Sequence, residues 1–411
     1  MSDARASRWS GLLGAVLVCA ACGESGDGGS APADEQDETG GTTGAAAATT
    51  SDNVGSESTE TTSNATVGSS TTDTDSSTGG GAAFVAGEDA LIPVVEGAHI
   101  FWLGWDEGQN QREMDLQVSL PEPGFTYESV TLTLRLGCPE GACDWWDRKG
   151  SLGLVEDPDA EEPTVWELAR FVTPYRVGGT WSLDVTALQT LLAGEQTLRL
   201  YIDTWVGPGH ANGNGWIVDA QLEYVGGVPD LVPTAVVPLW PRRELTVGDP
   251  MNPLGEQLDA AALEVPMDAA KVEMWTVISG HGQGNLNNCA EFCQLAQGFL
   301  VGAGAVRRTI WRDDCDQNPI QGQQGTWTLP RAGWCPGDIV QPWVEDITEH
   351  AAPGSSVSVT YDIEEYENTC RPDAPMCMGC ALGTGCDYDG GNHTAPTIQV
   401  SSAAVVYTEA G

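Results

Sequence analysis

Glu128-Ser-Val-Thr-Leu-Thr-Leu-Arg-Leu-Gly137 alternates without a break, with Val130, Leu132, Leu134 and Leu136 on one face and Thr131, Thr133 and Arg135 on the other. A period of two is the mark of a half-buried β-strand. Thr197-Leu-Arg-Leu-Tyr-Ile-Asp-Thr-Trp205 repeats the pattern. It sends Leu198, Leu200 and Ile202 toward a core and sets Arg199, Tyr201, Asp203 and Trp205 on the opposite face. The unit Leu183-Asp-Val-Thr186, an apolar turn and the strand at 197 is echoed by Glu345-Asp-Ile-Thr348, a glycine-containing turn and Ser356-Val-Ser-Val-Thr-Tyr361. Such an echo reads as one supersecondary unit closing each of two domains. Helical periodicity is almost absent, and short strands between Gly and Pro turns point to an all-β chain of two antiparallel jelly-roll sandwiches. Gly226-Gly-Val-Pro229 interrupts the strand pattern and marks the expected boundary between domains at 83–228 and 229–411.

Toward the N-terminus the patterning stops. Residues 1–22 carry Arg5 and Arg8, an apolar run from Leu12 to Ala21 and then Cys22, which reads as a signal peptide with a bacterial lipoprotein cleavage site. Cys22 is then the lipidated first residue, and the apolar run is too short to span a bilayer. Residues 23–82 are rich in Gly, Ser, Thr, Ala, Asp and Glu and carry neither Lys nor Arg, a composition expected of a flexible, self-repelling tether. The expectation is an exported, monomeric protein of the bacterial cell envelope, touching the membrane only through its lipid. A formal net charge of -42 excludes nucleic acid as a partner, since a phosphate backbone needs a basic surface.

Beyond the leader the cysteines are even in number, which in an exported chain favours disulfides. Local spacing pairs Cys138 with Cys143, Cys289 with Cys293 and Cys315 with Cys335. Cys370, Cys377, Cys380 and Cys386 form a cluster whose connectivity stays open, and Cys377-x-x-Cys380 also has zinc-ligand spacing. A loop closed this tightly fixes how its few residues project, and in Cys289-Ala-Glu-Phe-Cys293 the enclosed polar residue is Glu291.

Asp147 stands at the exit of another such loop, Cys138-Pro-Glu-Gly-Ala-Cys143-Asp-Trp-Trp-Asp147-Arg148. Tryptophan faces stack on sugar rings and carboxylates bind hydroxyls or move protons, so this grouping suits a carbohydrate site. A structural Asp–Arg pair is the plainer reading. Four segments sharpen the choice: Cys-Asp-Trp-Trp-Asp147-Arg, Glu167-Leu-Ala-Arg-Phe-Val-Thr-Pro-Tyr175, Asn288-Cys-Ala-Glu291-Phe-Cys, and Gly325-Thr-Trp-Thr-Leu-Pro-Arg331-Ala-Gly-Trp334-Cys-Pro-Gly337. In content and order they resemble the peptide:N-glycosidase F family, over about residues 128–345.

The resemblance implies two eight-stranded antiparallel jelly-roll domains packed side by side, with an active site between them. It implies hydrolysis of the amide joining N-acetylglucosamine to asparagine in N-glycopeptides or glycoproteins, leaving aspartate, with no metal or organic cofactor. By motif position the main catalytic aspartate falls on Asp147, the second essential acid on Glu291, and a supporting carboxylate on Asp203. Arg148, Trp146, Trp205, Arg331 and Trp334 match residues lining the family's cleft. His281 and Phe292 stand where the family has tryptophan, and Asp203 where it has glutamate, about 1.5 Å shorter in reach. Arg176 follows Tyr175 where an aromatic is expected. A protein of the same fold that binds glycans without turning them over is the alternative, with a purely structural envelope protein behind it. A copper oxygenase of related fold needs clustered imidazoles, and His99, His210, His281, His350 and His393 are scattered.

Overall fold

A computed structural model describes residues 84–282, 290–366 and 397–411. The leader with Cys22, the whole of the tether, Cys289, and the cluster Cys370, Cys377, Cys380 and Cys386 lie outside the described residues. Eight antiparallel strands come first: β1 (Ala90–Ile100), β2 (Glu113–Ser119), β3 (Tyr127–Gly137), β4 (Lys149–Glu156), β5 (Thr164–Val172), β6 (Gly179–Asp184), β7 (Glu195–Ile202) and β8 (Trp216–Gly226). They form two sheets, β1-β8-β3-β6 and β5-β4-β7-β2. The alternating residues of β3 and β7 meet as expected, since Val130, Leu132 and Leu134 share one fully buried core with Leu198, Leu200 and Ile202. Strand β7 ends at Ile202, so Asp203 and Trp205 stand in the loop beyond it.

The rest of the chain repeats the scheme. Its strands are β9 (Leu231–Thr246), β10 (Ala261–Glu264), β11 (Lys271–His281), β12 (Leu295–Val301), β13 (Gly304–Ile310), β14 (Asp338–Ile339), β15 (Trp343–Asp346), β16 (Ser356–Ile363) and β17 (Thr397–Glu409). The sheets are β15-β11-β17-β9 and β10-β16-β12-β13, closed over a core that includes Phe299, Val301, Val359, Val400 and Val406. If β14 is set aside, both sandwiches nest their strands alike, first with eighth, second with seventh, third with sixth and fourth with fifth. Strand β14 goes elsewhere: Asp338 and Ile339 pair with Val172 and Phe171 at the edge of the first sandwich. A segment from the expected C-terminal domain thus extends an N-terminal sheet.

The sequence echo has a structural counterpart. Asp184 caps the turn after β6 by accepting hydrogen bonds from the Thr186 backbone and hydroxyl, and Thr186 Oγ1 accepts from the Val130 N–H at 2.8 Å. Asp346 and Thr348 do the same after β15, with Val272 N–H donating at 2.9 Å. Each Asp-x-Thr turn ties the sixth strand of its sandwich to the third.

The seam between the sandwiches runs along β5, most of which is buried. Residues 167 and 170 should face opposite sides of a regular strand. Against β4, however, Ala169 pairs with Leu152 and Glu167 with Gly153, so Leu168 is an extra bulged residue. The bulge turns Glu167 and Arg170 to one side, where they form a buried ion pair. Arg170 NH1 donates across the seam to Ser279 Oγ on β11 (2.8 Å) and to the Gln399 carbonyl on β17 (2.9 Å). Ser401 Oγ on β17 donates back to Glu167 at 2.7 Å. Burial alone would raise the Glu167 carboxyl, but the charge and hydrogen bonds of Arg170, helped by Arg242, hold it below the usual range.

Breaking such a pair leaves a buried charge unmatched. Arg170→Ala is expected to cost about 3–5 kcal/mol in denaturant unfolding, whereas Glu167→Leu combined with Arg170→Met costs less than the single change. A single variant as stable as wild type would show that the pair does not hold the seam.

Candidate active site

The first wall of the site is the loop between β3 and β4. The Cys138–Cys143 disulfide forms as expected and closes its N-terminal half. The loop from 207 to 214 packs against it: Trp145 N–H donates to Asn212 O at 3.0 Å and Asn214 N–H to Ala142 O at 2.8 Å. Gly213 takes a positive φ of 117° there, and a Cβ at that position would run into Cys143 and Asp144. Asp144 is fully buried and organises the turn that leads into β4. It accepts from Trp146 N–H (3.0 Å), Arg148 Nε (2.8 Å) and Thr204 Oγ1 (2.7 Å). Arg148 therefore pairs with Asp144, where the sequence pattern set it beside Asp147. The guanidinium of Arg176, left without a role by the sequence, lies 3.6 Å over the Trp145 ring.

The second wall comes from the other sandwich. Cys315–Cys335 forms as expected, and Cys293 is disulfide-bonded while Cys289, its expected partner, lies outside the described residues. The segment at 290–291 lies flat on its neighbours. Ala332 N–H donates to Glu291 O and Gly280 N–H to Ala332 O, both at 2.9 Å. A side chain on Gly280 would collide with Ala290 and Ala332. Arg331 is buried, with its NH1 donating to the carbonyls of Thr326 (3.1 Å) and Leu329 (2.8 Å) and its NH2 to Thr326 Oγ1 (3.0 Å). Its Nε reaches Glu291 Oε1 at 3.2 Å, and its guanidinium lies 5.2 Å from the centre of the Phe292 ring and 4.8 Å from that of Trp334.

The two walls bring Asp147 and Glu291 into one electrostatic system. Burial raises the Asp147 carboxyl above its usual range, and Arg331, a hydrogen bond from Tyr175 and then Arg148 oppose the rise. Burial also raises Glu291, to about 7, and the Asp147 charge pushes the same way against Arg331 and a hydrogen bond from the Gly282 backbone. Tyr175 closes the circuit: its hydroxyl bonds Asp147 and lies 3.4 Å from Thr326 Oγ1, which Arg331 also holds. Burial and the Asp147 charge drive the Tyr175 hydroxyl upward, so it stays a proton donor. A carboxyl raised to about 7 by burial, with help from the charge of a neighbouring acid, makes with that neighbour a pair suited to acid–base work.

The other candidates divide. Trp146 is exposed at the site's edge, 40 % accessible, and Phe292 is similar at 38 %. Trp334 and His281 are instead buried, at 3 % and 8 %, which corrects their expected place on a sugar-facing wall. Trp334 donates from Nε1 to Gly280 O and packs with Val172, Val277 and Val340 across the seam. The His281 ring stacks on Trp334, and its Nε2 lies 2.7 Å from Ser279 Oγ. Burial, then the positive charges of Lys149 and Arg170, keep that imidazole neutral. Asp203 is bound by Arg112 NH1 at 3.4 Å and by the Tyr201 hydroxyl at 3.1 Å. It is not among the largest influences on the acidity of Asp147 or Glu291. Trp205 stands beside it, with Arg112 over its ring. Among the described residues no cluster of His, Cys, Asp and Glu is arranged to hold a metal ion.

Asp144, Tyr175 and Thr326 were not singled out from the sequence, although all lie in or beside the four motifs. Nothing in residue type distinguishes Asp144 from Asp147 until their burial is known.

A carboxyl raised to about 7 when folded holds a proton that the unfolded chain has released, so its share of stability is present at low pH and lost as pH rises. Glu291→Gln removes this dependence. Its thermal midpoint should gain on that of wild type between about pH 4.5 and pH 8, and parallel curves would contradict the raised value.

Residues 254–382 match the family model described as "Peptide-N-glycosidase F, C terminal". The chain is 29% identical over 263 residues to the Peptide-N(4)-(N-acetyl-beta-D-glucosaminyl)asparagine amidase F of Elizabethkingia miricola, covering 61% of this chain and 72% of that protein. In fold it is similar to a recombinant peptide:N-glycanase F at a TM-score of 0.62, with 22% identity and coverage of 79% of this chain and 96% of the other. It is similar also to PNGase F from Flavobacterium meningosepticum, a glycosylasparaginase, at a TM-score of 0.60, with 23% identity and coverage of 79% and 97%. These matches bear out, in sequence and in fold, the resemblance to the peptide:N-glycosidase F family that the four motifs carry.

Proposed function

We propose that this protein is an amidase that hydrolyses the bond between N-acetylglucosamine and asparagine in N-glycopeptides or glycoproteins, releasing the glycan as a glycosylamine and leaving aspartate. The observation that carries the reading is the coupling of Asp147 and Glu291, presented from separate sandwiches and joined through Arg331 and Tyr175. The likeness to amidase F supports it independently.

The proposed division of labour follows from the electrostatics. Asp147, opposed in its rise by two arginines and a tyrosine hydroxyl, is the ionised partner and takes a proton from water as that water attacks the amide carbonyl carbon. Glu291, with a value near 7, is the protonated partner and delivers its proton to the departing nitrogen as the C–N bond breaks. A carbon–oxygen bond forms, a carbon–nitrogen bond breaks, and one proton moves at each carboxyl; exchange with solvent resets both. Arg331 is placed by Glu291 to steady the charge that develops.

The alternative, a glycan-binding protein without turnover, is favoured by one feature: the Asp203 carboxylate is engaged by Arg112 and Tyr201. Mass spectrometry of an N-glycopeptide after incubation separates the readings. The amidase reading predicts the peptide with aspartate in place of the glycosylated asparagine, and a loss of at least about a hundredfold in Asp147→Asn, the scale of a lost general base. Glycan binding with an unaltered peptide would favour the alternative and overturn the amidase.

A further inference from the structure

Beside the Asp147 loop stands a surface that the proposed chemistry does not use. Residues 101–111, between β1 and β2, form a closed loop. Leu103 N–H donates to Gln109 O (2.8 Å), Gln109 N–H to Asp106 O (3.0 Å) and Gln111 N–H to Phe101 O (2.9 Å), and Trp102 N–H anchors the loop to Val206 O (2.9 Å). Gly104 approaches Gln109 so closely that a Cβ would meet its side-chain oxygen at 2.6 Å. The loop presents Trp105 at 72 % exposure, a large ring held in water on an ordered backbone. Trp102 and Trp205 meet it edge-on, with ring centres 6.0 and 6.1 Å away.

Arg112, itself buried, lies beneath this group, 5.0 Å from the Trp105 ring and 4.5 Å from the Trp205 ring. Its charge is met by Asp203, which also accepts from Tyr201. The surface therefore offers an aromatic face, backed by a buried guanidinium and bordered by a part-exposed carboxylate. A purely apolar partner would strip water from the part-exposed Asp203 carboxylate, whereas a pyranose supplies C–H faces for the ring and hydroxyls for the carboxylate. It is continuous with the candidate site, because Thr204, between Asp203 and Trp205, holds Asp144, and Asp203 N–H donates to Lys149 O at 2.9 Å.

We infer that Trp105, with Trp102 and Trp205, forms a sugar-stacking platform that takes a residue of the glycan beyond the N-acetylglucosamine at the reaction centre. The identity of the ligand as an N-glycan rests on the amidase reading; the platform itself does not. Asp147→Asn protein is titrated calorimetrically with a glycopeptide bearing a full N-glycan and with the same peptide bearing one N-acetylglucosamine, with and without Trp105→Ala. The preference for the longer glycan, as a ratio of Kd values, should fall about tenfold with Trp105→Ala, as loss of one stacked ring implies. Trp105→Phe should restore most of it. An undiminished preference, or no affinity for either glycopeptide, overturns the platform. Cleavage by wild type with a Trp105-independent preference sinks the platform alone; Trp105-dependent binding without cleavage sinks the amidase alone.

Discussion

The buried pair of Glu167 and Arg170 sets the geometry on which the site depends. It exists because one extra residue in β5 turns both charges to the same side, where Ser279, Gln399 and Ser401 of the opposite sandwich satisfy it by hydrogen bonds. From there a chain of contacts runs outward. Arg170 holds Ser279, whose hydroxyl proton is then free to reach His281 Nε2, and His281 stacks on Trp334. Trp334 lies against Arg331, and Arg331 holds Glu291. A shift of one sandwich against the other would break this chain at its buried end and carry Glu291 away from Asp147. Polar seams are costly unless every group finds its partner, and this one therefore favours a single docking position over slippage.

Charge is used sparingly where it matters. With 59 acidic and 17 basic residues, the chain has few cations to place. Arg170 and Arg242 act on the seam acid, Arg148 holds the buried Asp144, Arg331 holds Glu291, and Arg112 holds Asp203. Asp147 has no arginine paired with it alone among the described residues. It feels Arg331 and Arg148 while each is hydrogen-bonded to another acid, and that arrangement lets burial raise its carboxyl without a strong pair to pull it back. The two acids share one cation, since Arg331 bonds Glu291 and its charge also opposes the rise of Asp147.

Much of the fold was legible because its signals are local. The alternation from Val130 to Leu136 has one physical meaning, and the Asp-x-Thr echo marked the same turn in both sandwiches because a short side chain can cap a turn from sequence neighbours alone. The motif positions of Asp147 and Glu291 also led to groups that the structure brings together. What stayed hidden depends on long-range contact. The bulge at Leu168 leaves no trace in the hydrophobic pattern, and the pairing of β14 with β5 joins residues far apart in the chain. Arg148 was set beside its sequence neighbour Asp147 although Asp144 is buried below it. Trp334 and His281 carry ring types that suit a sugar wall, yet their burial puts them beneath the site. Trp105 passed unnoticed because its exposure cannot be read from residue type.

The central claim is that Asp147 and Glu291 share one site, where the Asp147 charge adds to burial in raising the Glu291 carboxyl. Carbon NMR of a labelled Glu291 carboxyl, titrated in the wild type and in Asp147→Asn, measures this directly. The account predicts a midpoint of about 7 in the wild type and a clearly lower one when the neighbouring charge is removed. An identical midpoint in both proteins would mean that the two carboxyls do not sense each other, and the shared site would fall with it.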